Sequence, residues 1–131
     1  MIHLYVALGG ALGALARFAI GGWVTTWAGP GFPWGTFVIN VSGSLLLGFL
    51  MRVLPSPAAS SEARALLTVG LCGGFTTFST FDFETLVLLQ ERLYGLAALY
   101  SLGSVLTCLA GVFAGMSLGT VAREGLVGRT S

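Results

Sequence analysis

Four apolar stretches, each long enough to cross a lipid bilayer, occupy most of this 131-residue chain. They run over residues 4–27, 34–54, 65–89 and 93–121, and a membrane-spanning helix needs about 20 such residues. Only 8% of the residues are charged and 55% are hydrophobic, whereas a soluble domain carries about 25% charged residues. The sequence therefore predicts one all-α integral membrane domain with four transmembrane helices.

The few charges that remain are distributed unevenly between the two sides of the membrane. Four spans place both termini and the middle loop on one side, where the arginines are Arg52, Arg64, Arg123 and Arg129. Arg92 is the arginine of the opposite side. The positive-inside rule then predicts cytoplasmic termini. A net charge of +1 without a basic tail gives no indication of nucleic-acid binding.

The third apolar stretch contains a segment that forms a helix poorly. Two adjacent glycines and two β-branched threonines lie between Gly73 and Thr77, and these residues have low helix propensity. At membrane depth, irregular backbone is tolerated only inside protein or against a water-filled cavity. We expect a broken helix with an unwound turn from Gly73 to Thr77, restarting at a weak capping box of Ser79 and Asp82. A kinked but continuous helix is the alternative.

Two polar residues interrupt the first and second stretches. Arg17 either extends its side chain to the membrane interface or faces a wet vestibule, where its charge concentrates anions. Asn40 either joins two helices by hydrogen bonds or offers its N–H donors to an anion. Polar groups at such depth are candidate functional residues by default.

Two further patterns carry a weaker functional signal. Phe78 and Phe81 share one helix face, where they either pack or present positive ring edges to a small anion. In the fourth stretch, the residues with helical spacing that form a possible hydroxyl track for a desolvated ion are Tyr100, Ser104, Thr107 and Cys108. Ser and Thr hydroxyls in membrane helices also bond to their own backbone, which is the simpler interpretation.

Glycines recur at four-residue spacing in three of the stretches. The stripes are Gly9-xxx-Gly13, Gly70-xxx-Gly74 and Gly111-xxx-Gly115-xxx-Gly119. Such stripes allow helix backbones to approach closely in lipid. One four-helix monomer offers few partners for so many small faces, and we therefore expect an oligomer.

Three motifs together resemble the Fluc (CrcB) family of fluoride channels. In chain order they are Gly9-Gly10-x-x-Gly13-Ala14-x-x-Arg17, then Gly35-Thr36-x-x-x-Asn40-x-x-Gly43-Ser44, and Gly73-Gly74-Phe75-Thr76-Thr77-Phe78-Ser79-Thr80-Phe81-x-x-Glu84. The order of the motifs, the chain length and the number of spans all match. The resemblance implies an antiparallel, dual-topology homodimer in the cell inner membrane, with two fluoride pores at the subunit interface and passive export of fluoride from the cytoplasm.

The resemblance also implies roles for individual residues. The residues assigned to the fluoride pore are Asn40, Thr77, Phe78, Ser79, Phe81, Tyr100 and Ser104. A structural sodium ion would be held by the backbone carbonyls of Gly73 and Thr76 from each subunit. Asp82 and Cys108 depart from the family pattern, because relatives carry a small or neutral residue at the first position and a hydroxyl at the second.

Other function classes remain as alternatives to a fluoride channel. A small four-helix dual-topology exporter of drugs or metabolites needs a carboxylate at mid-membrane, usually in the first helix, and Asp82 or Glu84 would have to serve instead. A structural membrane subunit explains the glycine stripes but neither Asn40 nor the break. The sequence contains no nucleotide-binding loop, metal-ligand cluster or catalytic triad, which predicts that the protein is not an enzyme.

Overall fold

The described part of the protein is helical and contains no strand. A computed structural model describes residues 1–55 and 59–127; Ser56 and Pro57 of the predicted middle loop and Arg129 of the tail lie outside them. The helices are α1 (Ile2–Ala28), α2 (Trp34–Val53), α3 (Ser61–Arg64), a π-helix (Ala65–Cys72), α4 (Gly73–Phe75), α5 (Phe78–Gln90) and α6 (Tyr94–Val127). Among the described residues, α1, α2 and α6 are long and apolar enough to cross a membrane.

Glycine and proline make the turn between α1 and α2. Gly29 ends α1 with a φ of 80°, and Gly31 has a φ of 115°. Both values lie in the left-handed region that side chains with a Cβ rarely adopt. The Gly29 N–H still donates to the Thr25 carbonyl at 3.1 Å, so the last turn of α1 stays closed. The chain then reverses, and α2 packs antiparallel to α1 with Gly35 beside Thr25 and Gly21 beside Ile39.

Two glycine stripes bring α1 against the π-helix and α4. A Cβ on Gly9 would collide with the backbone of Leu66 and Gly70, and a Cβ on Gly74 would collide with that of Gly10. Without side chains at these positions the two backbones lie in direct contact, as small residues allow in membrane proteins. The numbering rises in the same direction along both segments, so they run parallel.

The third stripe packs α6 against α2 within the same chain. Gly111 lies over Val41, Gly115 over Leu45 and Gly119 over Phe49, so α2 and α6 run parallel in a constant register. All three stripes find partners inside one chain, and the glycine spacing therefore gives no argument for an oligomer. Gly103, upstream of the stripe, has open space where a Cβ would be.

The third apolar stretch is divided into short helical pieces. Gly73–Phe75 is helical, Thr76 has ψ 157°, and Thr77 has φ −148° and ψ 116°. The predicted unwound turn was therefore placed too early, because Gly74 packs against Gly10 as part of a helix and only the β-branched pair is extended. The predicted cap at Ser79 was also wrong: Thr77 caps α5, and its Oγ1 accepts from the Thr80 N–H at 3.3 Å.

Candidate functional site

Asn40 holds the extended backbone at Thr77 with two hydrogen bonds. Its Oδ1 accepts from the Thr77 N–H at 2.8 Å, and its Nδ2 donates to the Thr77 carbonyl at 3.0 Å. Because a backbone N–H can only donate and a carbonyl can only accept, this pair fixes the orientation of the amide. Asn40 thus takes the place of the backbone partners that Thr77 loses by leaving the helix. Its remaining Nδ2 hydrogen stays free of this interaction.

A cavity of about 590 Å³ lies beside this contact. Its walls come from α2, the third apolar stretch and α6, and most of the lining is aliphatic or aromatic. The polar residues in the lining are Asn40, Ser44, Thr68, Thr76, Thr77 and Ser104. Apolar walls with a few placed polar groups are typical of sites for small ligands.

Two aromatic rings line the cavity, and a third lies behind them. The rings of Phe78 and Phe81 both line the cavity, and their centroids are 5.6 Å apart. Phe81 is buried, whereas Phe78 is 73% exposed. Tyr100 was predicted as a pore residue, but the structure places its ring behind Phe81 at 5.2 Å, fully buried and outside the cavity lining.

Glu84 accepts hydrogen bonds from two hydroxyls on neighbouring helices. The Thr36 hydroxyl donates to Oε1 at 2.9 Å, and the Tyr100 hydroxyl donates to Oε2 at 2.6 Å. The contact ties α2, α5 and α6 together beside the cavity. Thr36 and Glu84 both stand within the sequence motifs, but neither has a role in the fluoride pore predicted from the sequence. The available signal was the carboxylate itself, because an ionisable residue inside a span is by default a functional candidate.

The predicted hydroxyl track on α6 is present only in part. Ser104 and Cys108 line the cavity, and the Ser104 Oγ is a buried polar atom without a hydrogen-bond partner among the described residues. Thr107 is exposed, and its hydroxyl donates to the Gly103 carbonyl at 2.6 Å. Of the predicted track, Ser104 thus lines the cavity and carries a buried hydroxyl with no partner among the described residues.

Three other residues that the sequence singles out do not line the cavity. Ser79 is exposed, and its hydroxyl is 3.4 Å from the Thr77 hydroxyl. Asp82 is exposed on α5, just after its first turn, and Arg17 is half-buried on α1. None of the three belongs to the cavity lining in the described structure.

Gly73, the first residue of α4, and Thr76, which follows its last residue, both line the cavity. Gly73 is exposed, and the position that a Cβ would take is open. Thr76 directs its N–H and its hydroxyl to the Cys72 carbonyl, each at 3.0 Å. Its own carbonyl accepts no hydrogen bond from the described residues. Carbonyl oxygens are suitable ligands for a hard cation. The Thr76 carbonyl is therefore the kind of ligand that a sodium ion would take.

Comparison with known families covers all three motifs. The family described as "CrcB-like protein, Camphor Resistance (CrcB)" matches residues 4–116. The chain belongs to the CrcB family. With three helices able to cross a membrane, this CrcB chain is a multi-pass membrane protein.

Individual relatives of the CrcB chain are similar over nearly their whole length. A protein of Thermus thermophilus is 50% identical over 117 residues, which is 89% of this chain and 92% of the relative. One of Novosphingobium aromaticivorans is 50% identical over 87% of this chain and 92% of its own length. One of Agrobacterium fabrum is 44% identical over 87% of this chain and 92% of its own length. All three are named "Fluoride-specific ion channel FluC".

Proposed function

We propose that this CrcB protein is a fluoride-selective ion channel and not an enzyme, and that it exports fluoride from the cytoplasm by passive permeation. Its relatives are named as fluoride-specific channels at up to 50% identity over most of both chains. The structural observation that carries the proposal is the cavity between Asn40, Phe78, Phe81 and Ser104. It combines spare hydrogen-bond donors with aromatic rings in a mostly apolar wall.

The chemistry of fluoride accounts for this combination of groups. Fluoride is small and strongly hydrated, so a pore has to replace its water with other donors. The unpartnered Ser104 hydroxyl and the remaining Asn40 N–H supply two of them. The edges of Phe78 and Phe81 carry partial positive charge, so they favour an anion and offer nothing to a cation. Thr77 and Ser79 contribute hydroxyls at the start of α5, and Arg17 attracts anions towards the vestibule.

Tyr100 acts in this proposal through its neighbours. Its hydroxyl is already donated to Glu84, and its ring supports Phe81 from behind. Loss of the ring would let Phe81 change its position without removing any donor from the cavity wall.

The complete pore requires a second copy of the chain. Phe78 lines the cavity and is nevertheless 73% exposed, which places the open side of the cavity on the surface of the monomer. Polar groups open to hydrocarbon are disfavoured, and a second chain in antiparallel orientation would cover them. The resulting dual-topology homodimer has two equivalent pores at its interface.

A structural sodium ion completes the dimer at the interruption of the third span. In this proposal residues 61–90 cross the membrane as one span that is broken at Thr76 and Thr77. The carbonyls of Gly73 and Thr76 from both subunits would hold the ion. The Thr76 carbonyl lacks a donor in the described structure, and a cation would satisfy it where water is scarce.

Fluoride release from proteoliposomes tests the function directly. Vesicles loaded with potassium fluoride and supplied with valinomycin should release fluoride rapidly, as read by a fluoride electrode. Vesicles loaded with potassium chloride in a parallel run should retain their chloride. Fluoride release no faster than from protein-free vesicles with the same load would refute the channel. Proton-driven uptake of a cationic dye in place of fluoride release would instead identify an exporter.

Replacement of one aromatic ring tests the assigned pore. We expect Phe81→Ile to slow fluoride release at least tenfold, because the variant keeps an apolar side chain and removes the ring edge. Phe83→Ile is the matched control, since Phe83 lies on the same helix, is 66% exposed and is outside the cavity lining. Equal release from both variants would contradict the role of the ring.

Substitution of sodium tests the proposed ion independently of the pore. Protein purified and assayed in N-methyl-D-glucamine should lose fluoride release, and sodium should restore it. The mass of the protein in detergent, measured in the same buffers, shows whether the dimer depends on the ion. Unchanged release after exhaustive removal of sodium would exclude a required sodium ion while leaving the fluoride channel intact.

A further inference from the structure

A second pocket, of about 360 Å³, lies near the C-terminal ends of α2 and α6 and shares no lining residue with the cavity beside Asn40. It is lined by Arg52, Thr120, Arg123 and Glu124. No step of the proposed channel mechanism uses these residues. The parallel register of α2 and α6 explains why the two arginines meet. Gly119 on α6 lies over Phe49 on α2. Arg123 is four residues after Gly119, so it lies level with the last residues of α2.

One guanidinium in this pocket is hydrogen-bonded to the neighbouring helix. The Arg52 Nε donates to the Thr120 hydroxyl at 2.8 Å, and that hydroxyl donates to the Met116 carbonyl at 3.0 Å. The stem of Arg52 lies against Gly119, where an added Cβ would stand 2.7 Å from the Arg52 Cβ. Among residues 1–55 and 59–127 the Arg52 guanidinium makes its hydrogen bond through Nε. A guanidinium presents its Nη atoms as a planar pair that matches two phosphate oxygens.

The position of the pocket along the helices indicates what surrounds it. Helix α2 has 20 residues and is therefore about 30 Å long, which is the thickness of the hydrocarbon core. Arg52 lies in its last turn. The pocket is thus at the level where acyl chains end and phosphate groups begin. Basic pockets between transmembrane helices at this level bind anionic lipid headgroups.

We propose that Arg52, Thr120 and Arg123 form a binding site for a phosphate group, supplied by an anionic phospholipid of the surrounding leaflet. Arg52 binds two phosphate oxygens, Arg123 neutralises the remaining charge, and Thr120 keeps Arg52 in place. Glu124 borders the same pocket and repels an anion there. Because two arginines face one carboxylate, the site favours lipids with a net negative headgroup over zwitterionic lipids. Its affinity also depends on Glu124, which a purely apolar lipid contact would not.

Native mass spectrometry of the full-length protein in detergent tests this site. The probes are phosphatidylglycerol, phosphatidylcholine and inorganic phosphate. We expect phosphatidylglycerol to bind more tightly than phosphatidylcholine. The double variant R52Q/R123Q should weaken phosphatidylglycerol binding about 30-fold. Each positive charge at the membrane surface contributes roughly fivefold to the affinity, and the variant removes both of them. Arg64→Gln is the matched control, because Arg64 lies outside the pocket, and its affinity should stay within about twofold of the wild type.

Glu124→Gln should change lipid affinity in the opposite direction. This test remains valid even if the arginine variants fail to fold. Removal of this carboxylate should strengthen phosphatidylglycerol binding about fivefold. Displacement of the lipid by inorganic phosphate would show that the site also takes phosphate from solution, and no displacement would show that it takes the lipid alone; both support a phosphate site. Wild-type affinity in either R52Q/R123Q or E124Q, or an equal loss in R64Q, would overturn the proposal.

Discussion

The contact between Asn40 and Thr77 gives the sharpest test of how this chain keeps an irregular backbone inside the membrane. We expect Asn40→Leu to destabilise the protein strongly, although leucine is similar in size and suits a membrane helix. The substitution removes both hydrogen bonds at once, those of 2.8 Å and 3.0 Å. Thr77 is only 8% exposed, so water cannot readily replace the lost partner.

The magnitude follows from the number of groups left unpaired. A buried backbone donor or acceptor without a partner costs about 1–3 kcal/mol, and Asn40→Leu leaves one of each on Thr77. The expected loss in the free energy of unfolding is therefore about 2–6 kcal/mol. Reversible unfolding of the protein in mixed micelles, followed by circular dichroism, measures this quantity.

Ser42→Ala is the matched control for this substitution. Ser42 lies two residues further along α2 and donates its hydroxyl to the Val38 carbonyl of its own helix, so its removal leaves no group of another segment unpaired. We expect a change of at most about 0.5 kcal/mol. If Asn40→Leu were no more destabilising than Ser42→Ala, the view that Asn40 stabilises the break would be refuted.

Two further perturbations test the packing around the site. Gly115→Ala should destabilise the protein by about 1–3 kcal/mol, because the new methyl group would collide with the Leu45 carbonyl; Gly103→Ala, with open space around it, should be neutral or stabilising. Both are measured by the same unfolding assay, and equal effects would contradict the close helix contact. Tyr100→Phe should cost about 1.5–3 kcal/mol, because it deprives Glu84 of its 2.6 Å hydrogen bond; an unchanged free energy of unfolding would mean that this bond contributes nothing.

The residues of the candidate site were recognisable in the sequence to different degrees. Asn40, Phe78, Phe81 and Ser104 all line the cavity, and each stood out as a polar or aromatic residue within an apolar stretch. The partners of Asn40 and Tyr100 were not recognisable. The Thr77 backbone has no signature in the sequence that connects it to α2, and only the packing of α5 against α6 shows that Tyr100 points at Glu84 and not into the cavity.

The sequence by itself determined that lipid surrounds the protein, that its fold is all-helical, and that the chain turns between α1 and α2. These follow from local chemistry: so few charges cannot cover a surface in water, lipid leaves the backbone to satisfy its own hydrogen bonds, and Gly29 and Gly31 permit the reversal. The tertiary structure decided which helix each glycine stripe contacts and at which residues the helical backbone is interrupted. Gly74 remains helical because Gly10 packs against it, and Thr77 is extended where Asn40 on another helix supplies its partners.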